Sequence, residues 1–223
     1  MTRSELALKV AMKMDELSSS DEMVLSVGVE DNNPLALLID GLLDEAVNAT
    51  LAAVPQHCLT YVKELDSVTS PSSFSLLSVG ERSKLTVTLP SDFLRLVAIT
   101  SKNGFGRDIT QLYLPADPIA RRQDNAALRG GSAKPVAVLR GTSSGQTVDI
   151  YSLPSGTTLA EDSTEIQLIY VPRVAKGDTD YVPSLDDCLT DIAAWWCASL
   201  VFSAQGDANR SATSMTNAKL FLG

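Results

Sequence analysis

"VPSLDDCLTDIAAWWCASLVFSAQGD", Val182 to Asp207, has the apolar spacing of a helix, but on two sides. Leu185, Leu189, Ile192, Trp196 and Leu200 recur at steps of three and four and make one stripe. Cys188, Trp195, Ala198 and Phe202 make a second, about a hundred degrees round the axis. A helix on a protein surface needs one apolar stripe, so a helix with two must be covered twice. Either it runs through the middle of a helical bundle, or a partner subunit supplies the second cover. Ser184 is placed to cap it, Asp187 takes the acidic position of a capping box, and Asp186 and Asp187 suit the positive end of the helix dipole. Gly206 ends it, and "DANRSATSMTNAKLFL" follows as a weaker final helix.

The opposite end of the chain is helical too. "TRSELALKVAMKMDEL" begins with a capping box, Thr2-x-x-Glu5, and carries Leu6, Val10 and Met14 on one side. After an acidic connector, Asn33 and Pro34 stand as N-cap and first helical residue of a second helix. Its expected stripe is Leu35, Leu38, Ile39, Leu42, Ala46, Ala49 and Ala53, with Asp40, Asp44 and Asn48 on a solvated side. Pro55 stops it.

Between these ends the period changes to two. "KLTVTL" sets Leu85, Val87 and Leu89 against Lys84, Thr86 and Thr88, the pattern of a half-buried strand. "FLRLVAITS" and "DITQLYL" flank "KNGFGR", where Asn103-Gly104 is a hairpin-turn dipeptide. "DPIARRQDN" reads as a short helix with Asp117 as cap and Pro118 first, and "PVAVLR", "TVDIYSL" and "EIQLIYVP" as three more strands. The expected fold class is α+β. Helices from 1–56 and 183–223 form a bundle, and 57–182 is inserted as an antiparallel, sandwich- or barrel-like β region with its short helix near 117–124.

The chain has 223 residues and a net charge of −9. No segment approaches the roughly eighteen uninterrupted apolar residues of a membrane span, and the N-terminus reads as an amphipathic helix and not a signal peptide. A soluble protein made in a cytoplasm is expected. Cys58, Cys188 and Cys197 have no metal-type spacing. The last two lie about 13 Å apart on one helix, too far to bridge, so buried thiols are expected.

No motif in the chain completes a catalytic constellation. "GTSSG", Gly141 to Gly145, matches a nucleophile elbow but leads into another strand, and the single histidine, His57, sits just past a proline-stopped helix. "RGGSAKP" lacks phosphate-loop spacing, and the "GFG" at Gly104 lacks the third glycine of a dinucleotide site. His57 and Cys58 cannot hold a metal alone, and a core or rim position is expected for the histidine. Asp186-Asp187 serves a helix start as well as it would acid–base work. No catalytic residue, cofactor or metal is assigned.

One stretch inverts the charge. Residues 107 to 140 hold six basic residues (Arg107, Arg121, Arg122, Arg129, Lys134, Arg140) against Asp108, Asp117 and Asp124, a net of +3 that leaves −12 for the remainder. A nucleic-acid surface would want overall positive charge and interleaved aromatics, and this stretch has only Tyr113. A solvated loop is the plain alternative. A protein contact is the third, since arginine is favoured at interfaces and residues 1 to 50 carry ten acids against three basic residues. An acidic end and a basic middle permit copies to pack head-to-tail, which makes a ring if the rotation closes.

"LPSDFLRLVAI", "RDITQLYLPADPIARRQDN…RGGSAKPVAVL", "VDIYSLP", "IQLIYVPR" and "VPSLDDCLTDIAAWWCASLVF" resemble, in that order, the head-to-tail adaptor proteins of short-tailed phages. The nearest likeness is to the adaptor-like ring proteins of Bacteroides-infecting and crAss-like phages. It extends from "NPLALLIDGLLDEAVNATLAAVP" to the Trp-Trp helix and is strongest over 89–140. The resemblance implies a non-enzymatic virion protein at the head–tail junction: a ring of twelve under the portal that extends the DNA channel and receives the next tail component. It also implies a helical bundle from both chain ends with a β-rich insertion. Implied partners are sibling subunits, the portal, other neck or tail ring proteins, and DNA that passes without specific binding, with no membrane. In that setting Arg121, Arg122, Arg129 and Lys134 are expected to meet carboxylates of a neighbour. Trp195 is expected to offer the surplus helix face, and the C-terminal "AKLFLG", with Phe221, to dock on the portal, a frayed terminus being the plain alternative. The alternative is another neck or tail ring, or a ligand-binding β module of the particle.

Overall fold

A computed structural model describes residues 1–16, 34–59, 62–66, 74–79, 82–102, 107–123, 125, 127–128, 134–143, 145–153, 165–175 and 187–221. In chain order the elements are α1 (Arg3–Glu16), α2 (Pro34–Ala53), β1 (Lys63–Asp66), β2 (Phe74–Val79), β3 (Arg82–Thr88), β4 (Phe93–Lys102), β5 (Leu112–Tyr113), α3 (Pro118–Gln123), β6 (Val136–Thr142), β7 (Gly145–Leu153), β8 (Glu165–Pro172), α4 (Asp187–Ala204) and α5 (Ala208–Leu220). The fold is α+β, with helices from both ends of the chain and a β region between them. It divides into two compact units, Met1–Tyr61 with Arg173–Gly223, and Val62–Pro172. Along the chain the division falls at 61/62 and 172/173.

The helical unit is organised on α4. α1, α2 and α5 all pack against it, which is why both its stripes are apolar. Leu189 and Ile192 of one stripe and Trp195, Ala198 and Phe202 of the other are buried, with Trp196 and Leu200 half-buried. The side chains of Leu185, Asp186, Asp187 and Cys188, like the N-caps Asn33 and Ser184, lie outside the described set. Cys197 is buried and unbridged, and burial pushes its thiol up to about 12, so it has the character of a small core residue.

α1 opens on the expected capping box: Glu5 N–H donates to Thr2 Oγ1 (3.2 Å) and Thr2 N–H to Glu5 Oε2 (2.8 Å). Leu6, Val10 and Met14 are buried. α2 is rotated from the expected orientation. Its buried line is Ile39, Leu43, Ala46, Val47, Thr50 and Leu51, whereas Leu35, Leu38 and Leu42 are half-buried and Ala53 is exposed. The line expected to be solvated carries contacts instead. Arg3 reaches Asp40 and Asp44, and Asn48 brackets the Val174 backbone, accepting its N–H at 2.8 Å and donating to its carbonyl at 3.3 Å. Asp40 stays exposed as expected, whereas Asp44 and Asn48 are half-buried against their polar partners from α1 and Val174.

α4 and α5 join through three residues, Gln205 to Asp207, with little slack. Gly206 stands at φ +83°, a backbone that favours glycine. Its N–H reaches Ser203 O (3.1 Å), and Asp207 N–H reaches Phe202 O (2.9 Å), the paired bonds of a Schellman ending. Asp207 then caps α5, its carboxylate accepting Arg210 N–H at 3.0 Å.

In the β unit, a three-stranded sheet (β1-β8-β4) and a five-stranded sheet (β2-β3-β7-β6-β5) share one core. Leu85, Val87, Val148 and Ile150 come from the larger sheet, and Leu96, Ile99, Ile166 and Leu168 from the smaller. The sandwich is mixed and not wholly antiparallel, because β5 pairs with β6 in parallel. The two strands expected around Asn103-Gly104 do not form a full ladder. Ile109 makes a single bridge to Ile99, after which the chain crosses to the other sheet and β5 starts. The turn dipeptide itself lies outside the described residues. A second, smaller cluster on the far face of the large sheet joins Ala120 of α3 to Val138 and Tyr151. That contact places the basic stretch.

Candidate protein interface

α3 is held by one side. Ala120 and Gln123, three residues apart, are buried against the sheet, so Ile119, Arg121 and Arg122 turn away from it. Asp117 sits at its start, but its carboxylate points backwards to accept Leu114 N–H at 2.7 Å, while its carbonyl accepts Arg121 N–H at 3.1 Å. This fold-back fixes Leu114 beside the helix and leaves its side chain outside. Leu114, Ile119 and Leu128 are 57, 38 and 61 % exposed; among the described residues they are the large apolar side chains that the β unit leaves in solvent. All three fall within fifteen residues of one another in the segment that carries Arg121 and Arg122. Both arginine side chains are exposed, and among the described residues neither has an ion-pair partner.

The other basic residues divide. Arg107 and Lys134 are exposed, and Arg129 lies outside the described residues. Arg140 is engaged. It and Lys84 both donate to Asp149 Oδ2, Lys84 at 2.9 Å, while Thr86 donates to Oδ1 at 2.7 Å. Asp149 is only 2 % exposed. Arg140 also donates to the Tyr151 hydroxyl (3.0 Å), and the Lys84 ammonium lies 5.7 Å from the Tyr151 ring centroid. Burial alone would raise the Asp149 carboxyl; the hydrogen bonds from Lys84 and Thr86, with the Lys84 charge and the Arg140 bond, outweigh it and hold the carboxyl below the ordinary aspartate value. The cluster straps β3, β7 and β6 together: Thr86 and Val138 are the register partners of Asp149 on either side. Sequence reasoning missed it, because these residues meet only once the strands are paired.

Two further residues expected at an interface differ in exposure. Phe221, at the end of α5, is exposed, as is Leu220 before it. Trp195, expected at an interface, is 6 % exposed and covered by its own chain. The Lys13 ammonium of α1 stands 5.1 Å from its ring centroid, a cation–π contact within the unit. The second cover for α4 is intramolecular, and Trp195 leaves the interface.

The enzyme-like words of the sequence sit in plain places. "GTSSG" is the β6–β7 hairpin, with Thr142 paired to Gly145, so no strand-to-helix elbow forms. His57 is exposed in a short 3-10 turn, Gln56–Cys58, at a rim and not in a core. Among the described residues no group of three or more His, Cys, Asp or Glu is gathered as a metal site. No described helix is long and apolar enough to cross a membrane. Neither the protein-family models nor the curated protein sequences match this chain.

Proposed function

We propose that this protein is a structural, ring-forming connector of a phage particle, a head-to-tail adaptor that docks under the portal, extends the DNA channel and receives the tail. It works by fitting against neighbours and not by turnover. The observation that carries this reading is the α3 segment. Three exposed apolar side chains flank two exposed arginines in an otherwise acidic chain, the mixture of apolar surface and guanidinium that protein interfaces favour. A solvated loop would have no use for Leu114, Ile119 and Leu128 together. Helices from both chain ends with a β-rich insertion between them also agree with the adaptor architecture. The exposed Leu220–Phe221 end of α5 is the portal-docking element of this proposal.

The test is assembly. Light scattering across the soluble concentration range, and electron microscopy of the protein mixed with portal-bearing, tail-less capsids, should reveal rings at the portal vertex. Replacing Phe221 by Ser should reduce capsid binding without changing the melting temperature. A protein that stays monomeric alone and ignores such capsids would sink the connector reading.

A further inference from the structure

α1 turns all its described cations inward. Arg3 binds Asp40 and Asp44 of α2; the Lys9 ammonium donates to Thr190 Oγ1 at 2.9 Å and lies 3.2 Å from Asp191 of α4; Lys13 stands over Trp195. Its outward stripe is what remains. Glu5, Leu8, Met12 and Asp15 follow one another at steps of three and four, so they share a face. Leu8 and Met12 are 41 and 46 % exposed, Glu5 is exposed and Asp15 half-exposed. The result is two large apolar side chains between two carboxylates.

This face complements the α3 segment in kind and in sign. One offers apolar, apolar and two carboxylates; the other offers Leu114 and Ile119 with Arg121 and Arg122. We infer that the outer stripe of α1 in one copy seats on the α3 segment of the next. The two patches differ, so the contact is heterologous, and repetition yields a ring or a filament. Leu8 and Met12 would lie on Leu114 and Ile119, with the guanidiniums closing on the carboxylates at the rim. The inference rests on the connector reading and adds to it the pair of surfaces by which subunits meet.

Cysteine variants made on a Cys58→Ser, Cys188→Ser background, where the one native thiol left is the buried Cys197, test the pairing. Met12→Cys and Ile119→Cys proteins, mixed and oxidised, should give disulfide-linked dimers that neither variant gives alone. Arg121→Glu with Arg122→Glu on the Ile119→Cys chain should cut the cross-linked yield about tenfold, the scale of two rim charge pairs, at unchanged melting temperature, and adding Asp15→Lys to the Met12→Cys chain should restore part of it. Glu5 is left in place because it caps α1. Rings that assemble without mixed dimers would overturn this pairing and leave the connector reading standing. Dimers from Ile119→Cys alone would also overturn it, by showing a like-to-like contact. Failure to oligomerise at all, with or without portal-bearing capsids, would overturn both.

Discussion

Asp149 shows how one side chain can set the pH range of a unit. Its carboxylate is buried under Lys84, Arg140 and Thr86 and titrates below the ordinary aspartate value of 3.8. A carboxyl whose folded pKa is depressed contributes stability that is complete above its unfolded value and is lost as pH falls through the folded one. The β unit should therefore lose stability as pH drops below 3.8. Asp149→Asn, which cannot ionise, should start less stable at neutral pH and show a shallower loss below that value. Melting temperature against pH for the two proteins measures both. Asp149→Ala should cost about 2–3 kcal/mol, less than the roughly 3–5 of a fully buried broken pair because Lys84 and Arg140 keep access to water. Asp92 follows the same sign. Burial raises its carboxyl, but hydrogen bonds from Lys63 and Tyr170 with the Lys63 charge lower it further, so it contributes to the same acid limb.

At the scale of elements, a pair of glycines should respond to one substitution with opposite signs. Gly206 occupies the left-handed turn between α4 and α5 at φ +83°, where an L side chain costs about 1–2 kcal/mol. Gly206→Ala should destabilise by that amount. Gly41 lies inside α2, exposed, with open space where a Cβ would stand. Gly41→Ala should therefore stabilise by about 0.5–1 kcal/mol through helix propensity. Chemical denaturation of both variants checks the pair. The same scale shows how much was legible from the residues alone. Period-two alternation placed Leu85, Val87 and Leu89 in the core, and the capping box and Gly206 marked real helix ends, because each depends on contacts within a few residues. The rotation of α2, the parallel pairing of β5 with β6 and the Asp149 cluster depend on partners far along the chain. "TVDIYSL" shows Asp149 at a polar position but not that Lys84 and Arg140 arrive from two other strands. The interface was half legible. The arginines of α3 stood out by charge, whereas the exposure of Leu114, Ile119 and Leu128 required knowing which side of α3 Ala120 and Gln123 would bury.

For the molecule as a whole, two cores mean two places to do damage. Trp195 lies in the helical unit and Asp149 in the β unit. Trp195→Ala should remove about 3–5 kcal/mol, the range for a large buried aromatic, and should act on the helical unit. Calorimetry should then show Trp195→Ala and Asp149→Ala lowering different portions of the unfolding transition. One unchanged, jointly shifted peak for both variants would mean that the units melt as one. The arrangement of charge has the same modular character. Within the helical unit, Arg3, Lys9 and Lys13 are consumed by internal contacts, while Arg121 and Arg122 of the β unit are left outward. Raised salt should weaken any association through those arginines while leaving the melting temperature of the isolated subunit little changed.

The splitting of the helical unit across the chain has a consequence during translation. α1 and α2 emerge from the ribosome first, yet α4, the helix on which they pack, follows only after the whole of Val62–Pro172 has been made. The β unit, whose strands are complete by then, can fold while the nascent chain is still growing, and the early helices must wait for a late one. A prematurely released product ending before Asp187 would keep a sandwich but have no scaffold for α1, and so could not present that helix to a neighbour.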